Sequence, residues 1–321
     1  MDGLPQLSTG TLLMAAAAGA LYVASRVMLG VLKQWHDTPS SRAIAQWLPI
    51  ALVTLVAAVM RMPELAVGVI FATSLACLTL VLGIVGIYQP FFDTNETRRP
   101  LWGMVLPLSL IALICGFAGE FKLLHGVIFL FQGIVIFFVA RQDESLSQPH
   151  LPAEPGRKHP ALRGIEIVLA VLLGGLGAWA TTRGVTELSG NAQAFTPGLL
   201  ASLLVSPLLV LPMIGGASSN REAGEDATST LVIIALLNLC LLLPLTIFTW
   251  LAMRHWWWAA DVRLPFPMPV WRLDTVLLIV TGFALLGVSR GSVRLGTREG
   301  AVLVLAYGLY VFTAALTGIR V

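Results

Sequence analysis

Polar side chains that interrupt long apolar runs are the residues of this chain that could do chemistry. They offer hydroxyl, amide and carboxyl oxygens, and they are Gln46, Thr54, Thr73, Ser74, Ser202, Ser206, Glu225 and Asn238, with Pro49 among them. Such oxygens could line a path for a monovalent ion or a neutral polar solute. They could equally join packed helices, because Ser, Thr and Asn commonly bridge helices inside a membrane. The residue types alone leave both interpretations open.

The elements that must position these residues are membrane-spanning helices. Hydrophobic residues make up 57% of the chain, charged residues 12%, and the mean hydropathy is +0.84, whereas a soluble domain carries about a quarter charged residues. Apolar runs must be helical in hydrocarbon to satisfy their own backbone amides. The sequence therefore predicts an all-α polytopic protein that crosses the membrane about ten times. The predicted spans are 10–32, 43–60, 65–88, 101–118, 123–140, 163–182, 196–214, 228–253, 273–289 and 300–318.

The spans fall into two halves around one long polar stretch. We predict a first five-helix half over 1–141, a cytoplasmic linker over 142–162 and a second five-helix half over 163–321. An odd number of crossings in the first half makes the second half enter from the opposite face, so two halves of one fold would be inverted repeats. Both halves also share a pattern, in which a run from Trp102 to Gly116 precedes His125-Gly126, and a run from Trp271 to Gly287 precedes Glu299-Gly300.

Basic residues in the short loops predict the orientation. Lys and Arg are concentrated near 33–42, 98–99, 141–163, 221 and 290–298, and such an excess marks the cytoplasmic side. We therefore expect a multi-pass protein of the cell (inner) membrane with both termini on the outer face.

One segment of the first half carries motifs at fixed spacing. It reads Gln46-Trp47-Leu48-Pro49-Ile50-Ala51-Leu52, then Pro63-Glu64-Leu65-Ala66-Val67-Gly68, then Ala72-Thr73-Ser74-Leu75-Ala76-Cys77 and Leu80-Val81-Leu82-Gly83. This segment resembles, without a gap, the α-repeat of the calcium/cation antiporter superfamily, the sodium/calcium exchanger membrane region. That repeat runs Gly-Thr-Ser-x-Pro-Glu-Leu, Asp-x-Ala-x-Gly-Asn, Gly-Ser-Asn-x-x-Asn and Leu-Val-Leu-Gly.

A second, weaker copy lies in the second half. Pro207 or Pro212 could stand at the motif proline, Glu225-Asp226-Ala227-Thr228-Ser229-Thr230 follows, and Asn238 to Pro244 has the spacing of the family's closing Asn to Gly. The hairpins from Trp102 to Val139 and from Trp271 to Phe312 look like the family's fourth/fifth and ninth/tenth helices. The resemblance therefore covers nearly the whole chain.

The resemblance implies a binding site at mid-membrane, where prolines break paired helices and one glutamate from each half helps to hold Ca²⁺ or Na⁺. This chain departs from that pattern at the motif glutamates. The first position is Ile50, and the residues after Pro207 and Pro212 are Leu208 and Met213. A divalent cation without a carboxylate would keep its charge uncompensated in a low dielectric. The departures predict altered ion selectivity.

Other charged residues have simpler interpretations. Glu64 and Glu225-Asp226 come at matching positions near the starts of the third and eighth helices, where a carboxylate either complements the helix dipole or admits ions. Arg26, inside the first span, could snorkel toward the cytoplasm or pair with a carboxylate such as Glu166.

Several classes of function find no support in the sequence. The histidines have no metal-ligand spacing, the cysteines Cys77, Cys115 and Cys240 are unpaired in pattern, and neither a phosphate loop nor a nucleophile elbow occurs. We expect no enzyme, no cofactor, no confident metal site and no nucleic-acid partner. The expected partners are the lipid bilayer, a monovalent or divalent cation, and, for a partner subunit, another protein.

Three hypotheses remain, and the third, an unrelated membrane scaffold, would require the gapless match in the first repeat to be chance. The first is cation antiport of the sodium/calcium exchanger type with altered selectivity, supported by the helix-breaking prolines Pro49 and Pro207. The alternative is a non-transporting pseudo-exchanger that serves as a membrane scaffold or partner subunit, favoured by the loss of both motif glutamates. A polar cavity around Gln46, Thr73, Ser206 and Asn238 would favour transport, and a close-packed apolar midplane at Ile50 and Leu208 would favour the scaffold.

Overall fold

Helices form nearly all of the chain that the structure describes. The computed structural model describes residues 4–33, 39–88, 100–146, 160–191, 195–217, 221–254, 263–291 and 295–318. Within these ranges we number ten helices in chain order. They are α1 (Leu4–Lys33), α2 (Pro39–Val59), α3 (63–88), α4 (Pro100–Gly103 and Val105–Gly116), α5 (Leu123–Leu146), α6 (Pro160–Asn191), α7 (197–217), α8 (221–253), α9 (Met268–Ser289) and α10 (Thr297–Gly318).

These helices confirm the predicted all-α membrane architecture. Eight of them are long and apolar enough to span a bilayer, and two shorter apolar helices, Leu101–Gly116 and Leu123–Val139, complete the set in the described ranges. Each corresponds to one predicted span. The ends of the predicted linker differ, because α5 continues to Leu146 and α6 begins at Pro160. Residues 147–159 lie outside the described part of the chain.

Three of the helices change their hydrogen-bonding pattern along their length. A π-helical turn occupies Cys77–Val81 in α3, Ala201–Val205 in α7 and Asn238–Leu242 in α8. The turns in α3 and α8 start at Cys77 and Asn238, the two residues that the repeat alignment places at the same motif position. A π turn holds an extra residue and weakens the local ladder, which is why such turns are frequent at functional sites. Both copies of the repeat therefore share a local backbone feature.

The third helix is the centre of the molecule. Every residue of α3 from Leu65 to Thr79 is buried, whereas α1 and α6 lie at the periphery, packed along each other. Large apolar side chains on the outer helices are exposed, including Ile114, Phe131, Leu172 and Leu305. A surface of this kind is stable against lipid and not against water.

Glycines allow α3 and α8 to approach the last helix of the opposite half. A Cβ at Gly83 would lie 2.7 Å from the carbonyl oxygen of Gly300, and a Cβ at Gly300 would lie 2.6 Å from the carbonyl oxygen of Gly83. In the other half, a Cβ at Gly126 of α5 would lie 2.8 Å from the Phe248 ring of α8. Small residues permit such backbone contacts between membrane helices. Each half thus packs its final helix on the core helix of the other.

The fourth and ninth helices make a further contact between the halves. Gly282 of α9 lies against the backbone of Leu106 in α4, and the Trp271 indole covers Gly116. Next to these helices, β1 (Glu120–Phe121) pairs with β2 (Leu264–Pro265) as a short antiparallel ribbon. The three cysteines are free and buried, where each packs as a small apolar side chain.

Candidate functional site

One asparagine connects three core helices at the centre of the molecule. Asn238, at the start of the π turn in α8, donates from Nδ2 to Thr73 Oγ1 at 3.0 Å and to Ser74 Oγ at 3.2 Å, both in α3. Its Oδ1 accepts a hydrogen bond from Trp47 Nε1 of α2 at 3.0 Å. Asn238, Thr73 and Ser74 are fully buried. We call these four residues the Asn238 seam.

The Asn238 seam is electrically neutral, and the amide of Asn238 is fully hydrogen-bonded. Thr73 donates to the Val69 carbonyl, and Ser74 donates to the Ile70 carbonyl at 2.7 Å, so both hydroxyl oxygens use lone pairs to accept from Asn238. The amide of Asn238 thereby uses both of its N–H donors and its carbonyl. Such an arrangement stabilises the contact between α2, α3 and α8 as a polar bridge. A transported ion would have to replace some of these hydrogen bonds.

The motif positions beside the Asn238 seam are apolar. Ile50, at the first motif glutamate, is fully buried. Leu208 and Met213, which follow the two candidate prolines of the second motif, line a small cavity. Among the described residues, no cluster of three or more His, Cys, Asp or Glu side chains could hold a metal. A carboxylate-based divalent site of the kind that the resemblance implies is therefore missing from these motif positions among the described residues.

Two of the predicted path residues line that cavity instead of joining the Asn238 seam. The cavity has a volume of about 60 Å³ and lies between α1, α2 and α7, with Gln46, Pro49 and Leu208 on one side and Tyr22, Ser25 and Arg26 on the other. It can hold water molecules or a small ion. The Arg26 guanidinium carbon lies 5.9 Å from the centre of the Tyr22 ring, so a positive charge stands at this cavity.

Three of the predicted hydroxyl groups do not join the Asn238 seam, and the predicted carboxylate lies outside the described residues. Ser202 donates to the Gly198 carbonyl of its own helix at 3.3 Å. Thr54 Oγ1 and Ser206 Oγ are buried with no hydrogen-bond partner among the described residues. The side chain of Glu225 lies outside the described part of the chain, so its predicted role stays a prediction.

The expected helix breaks take a different form. Pro49 lies inside α2, which is helical from Pro39 to Val59 without interruption, so the prediction of a broken helix at Pro49 is wrong. In α7 the irregularity is the π turn Ala201–Val205, which ends just before Ser206 and Pro207. Such a turn accommodates the missing N–H of a proline by local readjustment, without ending the helix.

A buried carboxylate lies away from the motif positions and is not among the predicted site residues. Asp274 of α9 is 1% exposed, and it lies outside both repeats. The signal was visible, because Asp274 falls inside the predicted ninth span, and an ionisable residue within a membrane helix is by default a candidate functional residue. Trp47 was also missed, although it adjoins Gln46.

The arrangement of ten helices has counterparts among solved structures. The H⁺/Ca²⁺ exchanger CAX matches with a TM-score of 0.73 and 11% identity over 99% of this chain and 86% of that one. The sodium-calcium exchanger NCX_Mj, soaked with Na⁺ and Sr²⁺, matches with a TM-score of 0.63 and 15% identity over 98% of this chain and all of that one. The same exchanger soaked with Na⁺ and no Ca²⁺ gives a TM-score of 0.58 and 14% identity.

These comparisons define a class by fold alone. No protein-family model matches the chain, and no curated protein matches it either. The chain has the fold of the calcium/cation antiporter superfamily, as the sequence motifs predicted, and it is a multi-pass membrane protein.

Proposed function

We propose that this protein is a cation antiporter that moves a monovalent cation and does not exchange Ca²⁺. The observation that carries the proposal is the Asn238 seam, a neutral set of polar side chains at the meeting point of α2, α3 and α8. Both structural neighbours are named as exchangers of one cation for another. A fold of two inverted halves accommodates alternating access, in which one half moves against the other around a central site.

The charge balance favours a monovalent ion. Ca²⁺ takes about six to eight oxygen ligands and usually needs carboxylates to neutralise it. The Asn238 seam supplies only neutral oxygens, and Ile50 stands at the motif glutamate. The positive charge of Arg26 beside the inner cavity acts in the same direction, since it repels a divalent cation twice as strongly as a monovalent one.

Ion flux into proteoliposomes tests the proposal. We expect Na⁺ or K⁺ flux driven by an opposing cation gradient, and Ca²⁺ flux at the level of empty liposomes. Asn238→Leu should abolish the flux, because it removes the amide that joins the three helices. The matched control is Thr246→Val, also in α8, whose hydroxyl donates only to the Leu242 carbonyl of its own helix. Gradient-driven Ca²⁺ uptake by the wild-type protein would overturn the monovalent assignment.

A second candidate function rests on the completeness of the Asn238 seam. All hydrogen-bonding groups of the Asn238 amide are already engaged, and Ile50 is fully buried, as a non-transporting scaffold or partner subunit would require. Absence of flux for Na⁺, K⁺ and Ca²⁺, with folded protein in the liposomes, would establish this alternative in place of antiport.

Membrane orientation is the third element of the proposal. We infer a cell-membrane location with both chain termini outside and the 147–159 stretch inside, from the basic residues of the inner loops. A reporter enzyme that works only outside the cytoplasm should be active when fused after residue 318 and inactive when inserted between 147 and 159. The reverse pattern would invert the assignment.

A further inference from the structure

A single carboxylate is buried in α9 without a compensating charge. Asp274 is 1% exposed, and its Oδ1 has no hydrogen-bond partner within the described ranges. It lies about two turns from the start of α9 at Met268. A polar atom buried without a partner is uncommon and calls for a functional explanation.

Two tyrosine side chains of α10 lie beside this carboxylate. The Tyr310 hydroxyl of α10 lies beside Asp274 and Ser202, and Tyr307 lies close enough to interact with Asp274 and Cys77. The two tyrosine ring centres are 5.7 Å apart. Neither phenol oxygen completes a hydrogen bond with any described residue. The cluster, named here the Asp274 cluster, therefore contains Asp274, Tyr307, Tyr310, Ser202 and Cys77.

No cation in the described chain neutralises Asp274. The helices packed on α9 are α3, α4 and α10. Their other ionisable residues are Glu64 and Tyr88 at the two ends of α3, Cys115 at the end of α4, and Arg298 and Glu299 in the first turn of α10, while α9 itself carries the exposed Arg272. None of them pairs with Asp274, whose interactions are with the two tyrosines. An ionised carboxylate would be uncompensated here, at a cost of several kcal/mol or more in hydrocarbon.

We propose that Asp274 is a proton-binding residue and that the proton is the counter-ion of the antiport. This inference rests on the proposed function, which it makes more specific. Binding forms one O–H bond on the carboxylate, and release returns H⁺ to water, so no other reactant is required. The unpaired hydroxyls of Tyr310 and Tyr307 offer the acceptors that a protonated carboxyl needs and the donors that an ionised one needs.

The chemistry of the cluster favours a proton over a metal ion. A metal cation of the size of Na⁺ or Ca²⁺ needs several converging oxygens, whereas the described part of the cluster supplies one carboxylate, two phenols and one serine hydroxyl that already donates to Gly198. A proton needs one oxygen. Ser202 and Cys77 lie in the π turns of α7 and α3. The two tyrosines beside Asp274 therefore connect it to the core helices of both halves.

The experiment combines a transport readout with one that does not require transport. Proteoliposomes loaded with a pH-sensitive dye report proton movement when a Na⁺ or K⁺ gradient is imposed. Infrared difference spectra of the purified protein, recorded between acidic and alkaline pH, report protonation of a buried carboxyl group. The variants are Asp274→Asn, which keeps the shape of the protonated side chain, and Tyr310→Phe. The control is Glu187→Gln, which alters a carboxylate of α6 that pairs with Arg183 at 3.3 Å on the surface.

The wild-type protein and the control should show gradient-driven proton movement and a buried-carboxyl band. Asp274→Asn should lose both, and Tyr310→Phe should shift the band while the protein still elutes as a folded species. A band that persists in Asp274→Asn, or Na⁺ or K⁺ flux that moves no protons, would overturn the proton assignment and leave antiport standing. A band that depends on Asp274 without flux of any ion would support the proton site and overturn the transport proposal.

Discussion

Gly300→Val should prevent the protein from accumulating in its folded form. Residue 300 lies where α10 meets α3, and a Cβ there would lie 2.6 Å from the Gly83 carbonyl oxygen and 2.9 Å from the Ile87 backbone nitrogen. Backbone atoms cannot rotate away as a side-chain tip can. Overpacking of a core typically destabilises by about 1–3 kcal/mol. Because the added side chain would meet two backbone atoms of α3, we expect this variant to lie at or above the upper limit of that range.

The measurement is the melting temperature and the monodisperse yield of detergent-purified protein. Gly308→Val is the matched control, because it makes the same substitution in the same helix at a position with no atom within 4 Å of the added Cβ. We expect the control to retain the yield and melting temperature of the wild-type protein. Gly83→Val should reproduce the loss from the other side of the contact. If Gly83→Val and Gly300→Val both fold normally, α3 and α10 must be farther apart in the membrane than they are in the structure.

Asn238→Leu should produce the second large effect, a clear fall in melting temperature. The leucine fills a similar volume but leaves Trp47 Nε1 without its acceptor at the centre of the molecule. A buried polar group that loses its partner costs about 1–3 kcal/mol. Thr73 and Ser74 keep their bonds to the helix carbonyls, so most of the loss should come from the indole.

A double-mutant cycle isolates that contribution. Trp47→Phe removes the orphaned N–H, so the combination with Asn238→Leu should be less destabilising than the sum of the two single changes. Thr246→Val again serves as the control in α8, because its hydroxyl donates to the Leu242 carbonyl of its own helix. Simple additivity in the cycle would show that Trp47 and Asn238 do not interact in the membrane.

The same variants separate the two interpretations of the Asn238 seam. If the seam only joins helices, a variant that folds should transport as well as the wild-type protein. If it forms part of the ion path, flux should fall more than the fraction of folded protein does. The second outcome is the one that the proposed function requires.

The amino-acid sequence by itself determined the architecture. Runs of apolar residues must form helices in lipid because their amides have no other partner, and all ten predicted spans are present as helices. The sequence placed the irregular backbone at the motif prolines, whereas in α3 and α8 the structure has it in the π turns that begin at Cys77 and Asn238. Thr73, Ser74 and Asn238 were correctly chosen as polar residues of the core, and the structure joins them to one another.

Only the tertiary structure decided which side chains meet. Neighbouring residues on a helix point about 100° apart, so Trp47 reaches Asn238 while Gln46 lines the cavity beside Arg26. Asp274 and Tyr310 lie on separate helices, and nothing in their spacing shows that they face each other. The pattern of apolar residues predicts which segments lie in the membrane. Which side chains of two helices meet depends on the rotation and crossing angle of those helices, and these are set by the packing of the whole chain.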